Sequence, residues 1–170
     1  MKKKIAILGS TGSIGKSTLE VIKKDKKNFD IVLLTANSNY KKLIQQAQEF
    51  NARSVLINNQ LFYKKVKNSL KKNRTKVYTG DISIKKIIRG KIDYTMAAIV
   101  GIAGLQPTVD AVQISKTVAI ANKETIICGW EILSKYIKKH KTKILPVDSE
   151  HFSIMELTKD IRDEEIEEII

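Results

Sequence analysis

Short apolar runs alternate with amphipathic segments along almost the whole chain. The runs have the length of buried strands, and the segments between them repeat their apolar residues at helical spacing. Strands are predicted at residues 4–8, 30–35, 54–57, 76–79, 93–100, 117–121 and 142–147. Helices are predicted at residues 14–24, 40–50, 60–71, 105–115 and 124–139, the first burying Ile14, Leu19, Val21 and Ile22. This alternation indicates an α/β fold with a mostly parallel, doubly wound sheet.

The predicted sheet also indicates where functional residues should lie. Doubly wound sheets bind ligands in a crevice at the carboxyl ends of their strands. The polar segments that directly follow strands are therefore the candidates for chemistry. The sheet pattern stops near Asp148, which predicts one domain at residues 1–147 and the beginning of another at residues 148–170.

Composition excludes several other classes of protein. The chain has 170 residues, 42% of them hydrophobic and 29% charged, which is typical of one compact domain or one domain with an extension. Its single cysteine, Cys128, cannot form an internal disulfide. The apolar runs fall short of the roughly 20 residues that span a bilayer, and the stretch at residues 5–8 is too short for a signal peptide. A cytoplasmic protein without membrane contact is expected.

The charge is strongly basic and unevenly distributed. Residues 1–150 carry 29 Lys and Arg against 11 Asp and Glu, whereas residues 151–170 carry 2 against 7. A basic body favours an anionic partner, such as a phosphate, a nucleotide or a nucleic acid. Only four of the 31 basic residues are arginine, and lysine is spread along most of the predicted helices. Nucleic-acid-binding modules more often cluster arginine and interleave aromatic residues, so no nucleic-acid partner is expected.

Gly9, Gly12 and Gly15 follow the first predicted strand and open the first helix. In a dinucleotide-binding loop, the first glycine makes the tight turn and the second lets the backbone approach a pyrophosphate. The third lets helix and strand pack closely. The N–H groups of residues 11–14 would then face phosphate oxygens at the helix N-terminus. The motif predicts a dinucleotide site, with a purely structural turn as the alternative.

The end of the second strand indicates which dinucleotide fits. NAD sites place Asp or Glu at this point to bind the ribose 2′-hydroxyl. Residues 35–39 contain no acid, and Lys41 and Lys42 follow them. NADP(H) is therefore favoured, and an ordinary polar turn is the alternative.

Two other nucleotide motifs match incompletely. Residues 15–17 (GKS) resemble the end of a nucleoside triphosphate loop, but that motif requires glycine at position 10, which is Ser10. Tyr63 and Lys67 have the Tyr-x-x-x-Lys spacing of short-chain dehydrogenases. They lie too early in the chain and in a lysine-rich helix, so this match is discarded.

Two later segments carry polar groups directly after strands. Residues 121–124 (ANKE) open a helix, and residues 146–154 (PVDSEHFSI) follow the last strand. Asp148 and Glu150 are two apart, so in an extended chain their carboxylates would face the same side and suit Mg²⁺ or Mn²⁺. The alternative is that Asp148 or Ser149 caps a following helix. The spacing alone leaves both open.

Together these motifs resemble the 1-deoxy-D-xylulose 5-phosphate reductoisomerase family of non-mevalonate isoprenoid biosynthesis. The resemblance rests on GSTGSIG at residues 9–15, AAIVGIAGLQPT at 97–108, AIANKET at 119–125 and ILPVDSEHFSI at 144–154. It implies a Rossmann-like NADPH domain followed by a catalytic domain, a divalent metal (Mg²⁺ or Mn²⁺) and a homodimer. The implied reaction rearranges the sugar phosphate 1-deoxy-D-xylulose 5-phosphate and reduces it with NADPH to 2-C-methyl-D-erythritol 4-phosphate.

The resemblance also implies site residues. NADPH would be bound by Thr11, Gly12, Ser13, Ile14, Asn37, Ser38, Asn39, Asn122 and Glu124. Lys123, Ser149 and Glu150 would bind the substrate, with Lys123 and Glu150 in catalytic roles. Asp148 and Glu150 would ligate the metal, which would polarise the substrate carbonyl.

This chain departs from the family pattern at two places and in length. The 2′-phosphate loop of the family usually carries glycine and then Lys or Arg, where this chain has Asn37 and Ser38. Phe152 stands where family members commonly have serine. Family members are much longer, so residues 148–170 are expected to begin a truncated catalytic domain. The alternative function is therefore NADPH binding without turnover.

Overall fold

A sheet of seven parallel strands forms the centre of the structure, a computed structural model that describes residues 1–166 and 168 except the side chains of Ser149 and Asp163. The strands are β1 (Lys3–Leu8), β2 (Phe29–Ala36), β3 (Ser54–Ile57), β4 (Lys76–Thr79), β5 (Ile92–Ala97), β6 (Ser115–Ile120) and β7 (Lys143–Pro146). Their order across the sheet is β4-β3-β2-β1-β5-β6-β7. The chain therefore returns from the edge strand β4 to the centre, and its winding direction reverses between β1 and β5.

Helices cover both faces of the sheet. They are α1 (Ser13–Lys24), α2 (Tyr40–Glu49), α3 (Tyr63–Ser69), α4 (Ile84–Ile87), α5 (Leu105–Ile114), α6 (Lys123–His140) and α7 (Ser149–Thr158). In the part of the chain that the structure describes, none of them is long and apolar enough to cross a membrane.

Alternating side chains of β1 show how the two faces are filled. Ile5 and Ile7 pack in a cluster with buried residues of α1, α2 and α3. Ala6 and Leu8 pack in a second cluster with buried residues of α4, α5 and α6. Both faces of the central strands are thus apolar, as a parallel sheet covered by helices requires. The predicted doubly wound α/β fold is confirmed.

Several predicted details are wrong. The first helix buries Gly15, Leu19 and Ile22, which share one stripe at helical spacing. Ile14 and Val21 lie beside that stripe and are exposed, Val21 by 65%. The predicted helix at residues 60–71 is a short 3₁₀ turn followed by α3, and the four-residue helix α4 is not predicted at all. The fifth strand ends at Ala97 rather than at residue 100.

Asp93 joins β5 to its neighbours. Its carboxylate accepts hydrogen bonds from the Lys116 ammonium at 2.8 Å and from the backbone N–H of Lys4 at 2.9 Å. The Lys116 hydrogen bond, followed by the Lys4 N–H, holds the pKa of Asp93 below its usual value. The contribution of Asp93 to the free energy of unfolding is therefore complete above the pKa that its carboxyl has in the unfolded chain. It is lost as the pH falls through the lower pKa of the folded chain.

We expect Asp93→Asn to lower the free energy of unfolding by up to about 1 kcal/mol at neutral pH, because the ion pair is partly exposed. The difference from the parent chain should shrink below about pH 4, where the free carboxyl is protonated. Urea unfolding of both chains at a series of pH values measures this difference in the free energy of unfolding. Asp160→Asn, at an exposed position outside the sheet, is the control. A difference that is constant with pH would contradict the assignment.

Candidate functional site

A cleft of about 1010 Å³ opens at the carboxyl ends of the strands. Gly9 after β1 and residues 98–100 after β5 form its middle, where the winding of the sheet reverses. The segments that follow β2, β3 and β4 form one side, and α5 contributes to the floor. The volume lies at the upper end of the range for small-molecule and cofactor sites. The cleft is thus where a doubly wound sheet should bind a ligand.

The glycine loop is packed tightly against this cleft. Gly9 has a φ of +79°, and a methyl group there would lie 2.6 Å from the carbonyl oxygen of Ala98. A methyl group at Gly15 would lie 2.5 Å from the carbonyl oxygen of Gly9. α1 begins after Gly12 with no capping side chain and no acidic residue in its first turn. These features leave the helix N-terminus suited to an anion.

Most of the residues predicted to bind the cofactor line this region. Thr11, Gly12 and Asn37 line the cleft. A small neighbouring cavity of about 80 Å³ shares Gly12 and residues 98–100 with the cleft. Its lining includes Ser13, Ile14, Asn122 and Glu124. The exposure of Ile14 thus follows from its place at a cavity rather than in the core.

Two of the predicted cofactor residues, Asn39 and Ser38, and the predicted substrate residue Lys123 lie outside both cavity linings. Asn39 caps α2, with its side-chain oxygen accepting a hydrogen bond from the N–H of Lys42 at 3.2 Å. Ser38 precedes it and is exposed. Lys123 is the first residue of α6 and is also exposed. Their binding roles stay predictions.

Asn122 uses its side chain to hold the protein itself. Its oxygen caps α6 by accepting from the N–H of Thr125 at 3.0 Å. Its nitrogen donates to the carbonyl oxygens of Ile99 and, at 2.7 Å, of Gly101. The buried amide therefore fixes the loop after β5, which lines the cleft. Its predicted contact with NADPH stays a prediction.

The segment that follows Asp148 is a helix. Asp148 is the N-cap of α7, and its carboxylate accepts from the N–H of His151 at 2.9 Å. The His151 ring also lies 2.5 Å from this carboxylate. Of the two alternatives that the spacing leaves open, the structure has the helix cap at Asp148, and residues 149 and 150 are helical rather than extended. Helix capping satisfies otherwise unpaired N–H groups, which favours this geometry.

The chemistry of this helix start remains compatible with a cation. Burial raises the pKa of Asp148, but the hydrogen bonds from His151 outweigh it and keep the pKa below the usual value. Glu150 follows in the first turn and is exposed, whereas the side chain of Ser149 lies outside the described residues. Mg²⁺ is commonly held by one or two carboxylates together with water and substrate oxygens, so the donor types of Asp148 and Glu150 fit this ion. Among the described residues, no group of three or more His, Cys, Asp or Glu is placed to hold a metal.

A polar cluster around Asp110, which lines the cleft, could not be predicted from the sequence. Asp110 is buried on α5 and accepts hydrogen bonds from the Ser83 hydroxyl at 2.5 Å and from the Gln106 amide at 3.1 Å. Lys85 lies 3.7 Å from the same carboxylate. Ser83 also caps α4, so this cluster holds the segment after β4 against α5. The available signal was the single charged residue of α5, since buried charges need partners.

The sequence of this chain also matches a known family. Residues 5–129 match the sequence profile of 1-deoxy-D-xylulose 5-phosphate reductoisomerase. The chain belongs to this family. The reductoisomerase of Pelagibacter ubique (strain HTCC1062) is 50% identical over 169 residues, which are 98% of this chain and 44% of that protein. The reductoisomerase of Thermoanaerobacter sp. (strain X514) is 40% identical over 168 residues, which are 99% of this chain and 44% of that protein.

Solved reductoisomerase structures share the fold. The enzyme from Zymomonas mobilis in complex with NADPH superposes with a TM-score of 0.84 at 36% identity, covering 89% of this chain and 40% of that one. A reductoisomerase in complex with NADPH, fosmidomycin and magnesium gives 0.81 at 36% identity, covering 88% and 37%. The chain therefore spans less than half the length of the relatives that it matches.

Proposed function

We propose that this chain binds NADPH in the cleft and takes part in converting 1-deoxy-D-xylulose 5-phosphate into 2-C-methyl-D-erythritol 4-phosphate. The observation that carries the proposal is the glycine loop of a reductoisomerase, placed at the reversal point of the sheet beside a cleft of cofactor size. A reductoisomerase of the same fold has been solved with NADPH, which supports the choice of cofactor.

The proposed cofactor contacts run from the loop after β2, past the glycine loop, to the small cavity. Backbone N–H groups of Thr11, Gly12, Ser13 and Ile14 bind the pyrophosphate, assisted by the N-terminus of α1. Asn37, Ser38 and Asn39 meet the adenosine 2′-phosphate. Asn122 and Glu124 lie at the small cavity, toward the nicotinamide.

The proposed substrate site lies at the starts of α6 and α7. Lys123 places a positive charge beside the substrate oxygens, and Ser149 and Glu150 contact the substrate. Asp148 and Glu150 would hold the divalent cation, Mg²⁺ or Mn²⁺, which when bound polarises the substrate carbonyl. The domain boundary at residue 148, a homodimer and a cytoplasmic location complete this proposal. The alternative is that these 170 residues bind NADPH without turnover.

Fluorescence titration of the chain with NADPH and with NADH tests the proposal. We expect saturable binding of both and at least about 10-fold tighter binding of NADPH, because the loop after β2 offers no acid to a ribose hydroxyl. Ser38→Asp is the matched variant and should remove the preference while retaining NADH binding. A folded chain that binds neither dinucleotide would overturn the proposal. Adding substrate and Mg²⁺ to the NADPH complex then separates turnover from binding alone.

A further inference from the structure

A glutamine of α2 contacts the glycine loop inside the protein. Gln46 is only 3% exposed, between the apolar core residues Leu43 and Ala47 of the same helix. Its side-chain oxygen accepts a hydrogen bond from the Ser10 hydroxyl at 2.8 Å. Its side-chain nitrogen donates to the Ser10 carbonyl oxygen at 2.9 Å. One side chain thus holds Ser10 at two points.

The end of β2 holds the same part of the loop. The N–H of Ser10 donates to the carbonyl oxygen of Thr35 at 2.8 Å, and the N–H of Gly9 donates to the Thr35 hydroxyl at 2.9 Å. Ser10 is completely buried and does not line the cleft, whereas its neighbour Gly9 does. These hydrogen bonds fix residues 9 and 10, which directly precede the N–H groups of residues 11–14.

The buried amide of Gln46 does more than fill the core. It must be fully hydrogen-bonded to avoid a desolvation penalty, and it meets this requirement by pairing with the hydroxyl and the carbonyl oxygen of Ser10. A leucine or methionine of similar volume would fill the same space but would leave the Ser10 carbonyl oxygen without this donor. What the amide adds is a single defined conformation of the loop, since a buried polar network is satisfied in only one arrangement.

We infer that Gln46 is a positioning residue for the cofactor pyrophosphate. By holding Ser10 in place, it presets the direction of the following N–H groups, which lowers the ordering required when a phosphate binds. The inference rests on the proposed NADPH function. It assigns no ligand contact to Gln46 itself.

Gln46→Met is the informative variant, because it keeps the length of the side chain and removes both hydrogen bonds. Gln48→Met is the control, at an exposed position of the same helix. We expect Gln46→Met to raise the Kd for NADPH and for NADH by about 10-fold or more and by the same factor, since both cofactors carry the pyrophosphate. A purely structural role would lower the unfolding temperature and leave both Kd values of the folded chain unchanged. Values within about twofold of the control would overturn the inference.

Hydrogen exchange of the cofactor-free chain gives a second readout. The amides of Gly9 and Ser10 should exchange about 10-fold faster in Gln46→Met, while the amide of Leu33 in β2 should not change. This readout does not depend on NADPH, so a failed cofactor proposal and a failed positioning role are distinguishable. Unchanged exchange at Gly9 and Ser10 would overturn the positioning role.

Ser10→Ala keeps the test decisive if Gln46→Met does not fold. It removes one of the two hydrogen bonds to Gln46 and the longer bond from the Ser10 hydroxyl to the carbonyl oxygen of Thr35, at 3.2 Å, and should give a smaller loss of affinity. Because the two side chains share one contact, the loss of affinity in the double variant should be smaller than the sum of the two single losses. Additive losses would contradict the shared contact.

Discussion

Gly9→Ala is expected to destabilise the chain by about 3 kcal/mol or more and to abolish NADPH binding. Gly9 has a φ of +79°, a conformation that disfavours any side chain. The added methyl group would also lie 2.6 Å from the oxygen and 2.9 Å from the carbon of the Ala98 carbonyl group. These are backbone atoms at the end of β5, so relief requires the loop and the strand to separate. That separation would distort the cleft between them.

Gly90→Ala separates the effect of the positive φ from the effect of the contact with Ala98. Gly90 has nearly the same φ, +80°, but nothing lies within 4 Å of the added methyl group. We therefore expect a loss of only about 1 kcal/mol, and unchanged cofactor binding. Urea unfolding and NADPH titration of both variants provide the measurements. Equal losses would show that the contact with Ala98 contributes nothing.

Asn122→Ala is expected to have the second large effect, a loss of about 3 kcal/mol in the free energy of unfolding. The variant removes the cap of α6 and leaves two partly buried carbonyl oxygens, of Ile99 and Gly101, without the amide that they now bind. The loop after β5 would lose its anchor to α6. NADPH affinity should fall as well, because residues 98–100 line the cleft.

Asn39→Ala is the matched control for this prediction. Asn39 also caps a helix, but it is exposed and its side chain accepts one hydrogen bond, at 3.2 Å. We expect a loss of less than about 1 kcal/mol. Chemical unfolding followed by circular dichroism measures both variants. If Asn122→Ala cost no more than Asn39→Ala, the loop would not depend on the amide of Asn122.

The strands could be predicted well because their signal is local. β3 and β4 have the predicted bounds, since each is a short run of apolar and β-branched residues between polar ones. The fifth strand was predicted too long because residues 98–100 are equally apolar. They leave the sheet to line the cleft, and composition does not distinguish a strand from a cavity wall. α4 has only four residues, too few to show helical periodicity.

The candidate site likewise contains features that could be predicted from the sequence and features that could not. The glycine loop could be located because its residues are adjacent in sequence and its position after β1 follows from the topology. The contact between Ser10 and Gln46 could not, because 36 residues separate them and only the packed helix brings them together. Asp148 was ambiguous for a different reason, since an acid before a polar segment serves equally as a ligand or as a helix cap.

The central position of β1 also has a consequence for synthesis. β1 pairs with β5, and the hydrogen bond from Lys4 to Asp93 spans 89 residues. On the ribosome, β1 to β4 emerge first, and one edge of β1 stays bare until residues 92–97 follow. Such distant pairing slows folding, and a bare strand edge attracts other chains. The nascent protein is therefore most prone to aggregate before β5 docks, and that docking is also the step that first brings the two sides of the cleft together.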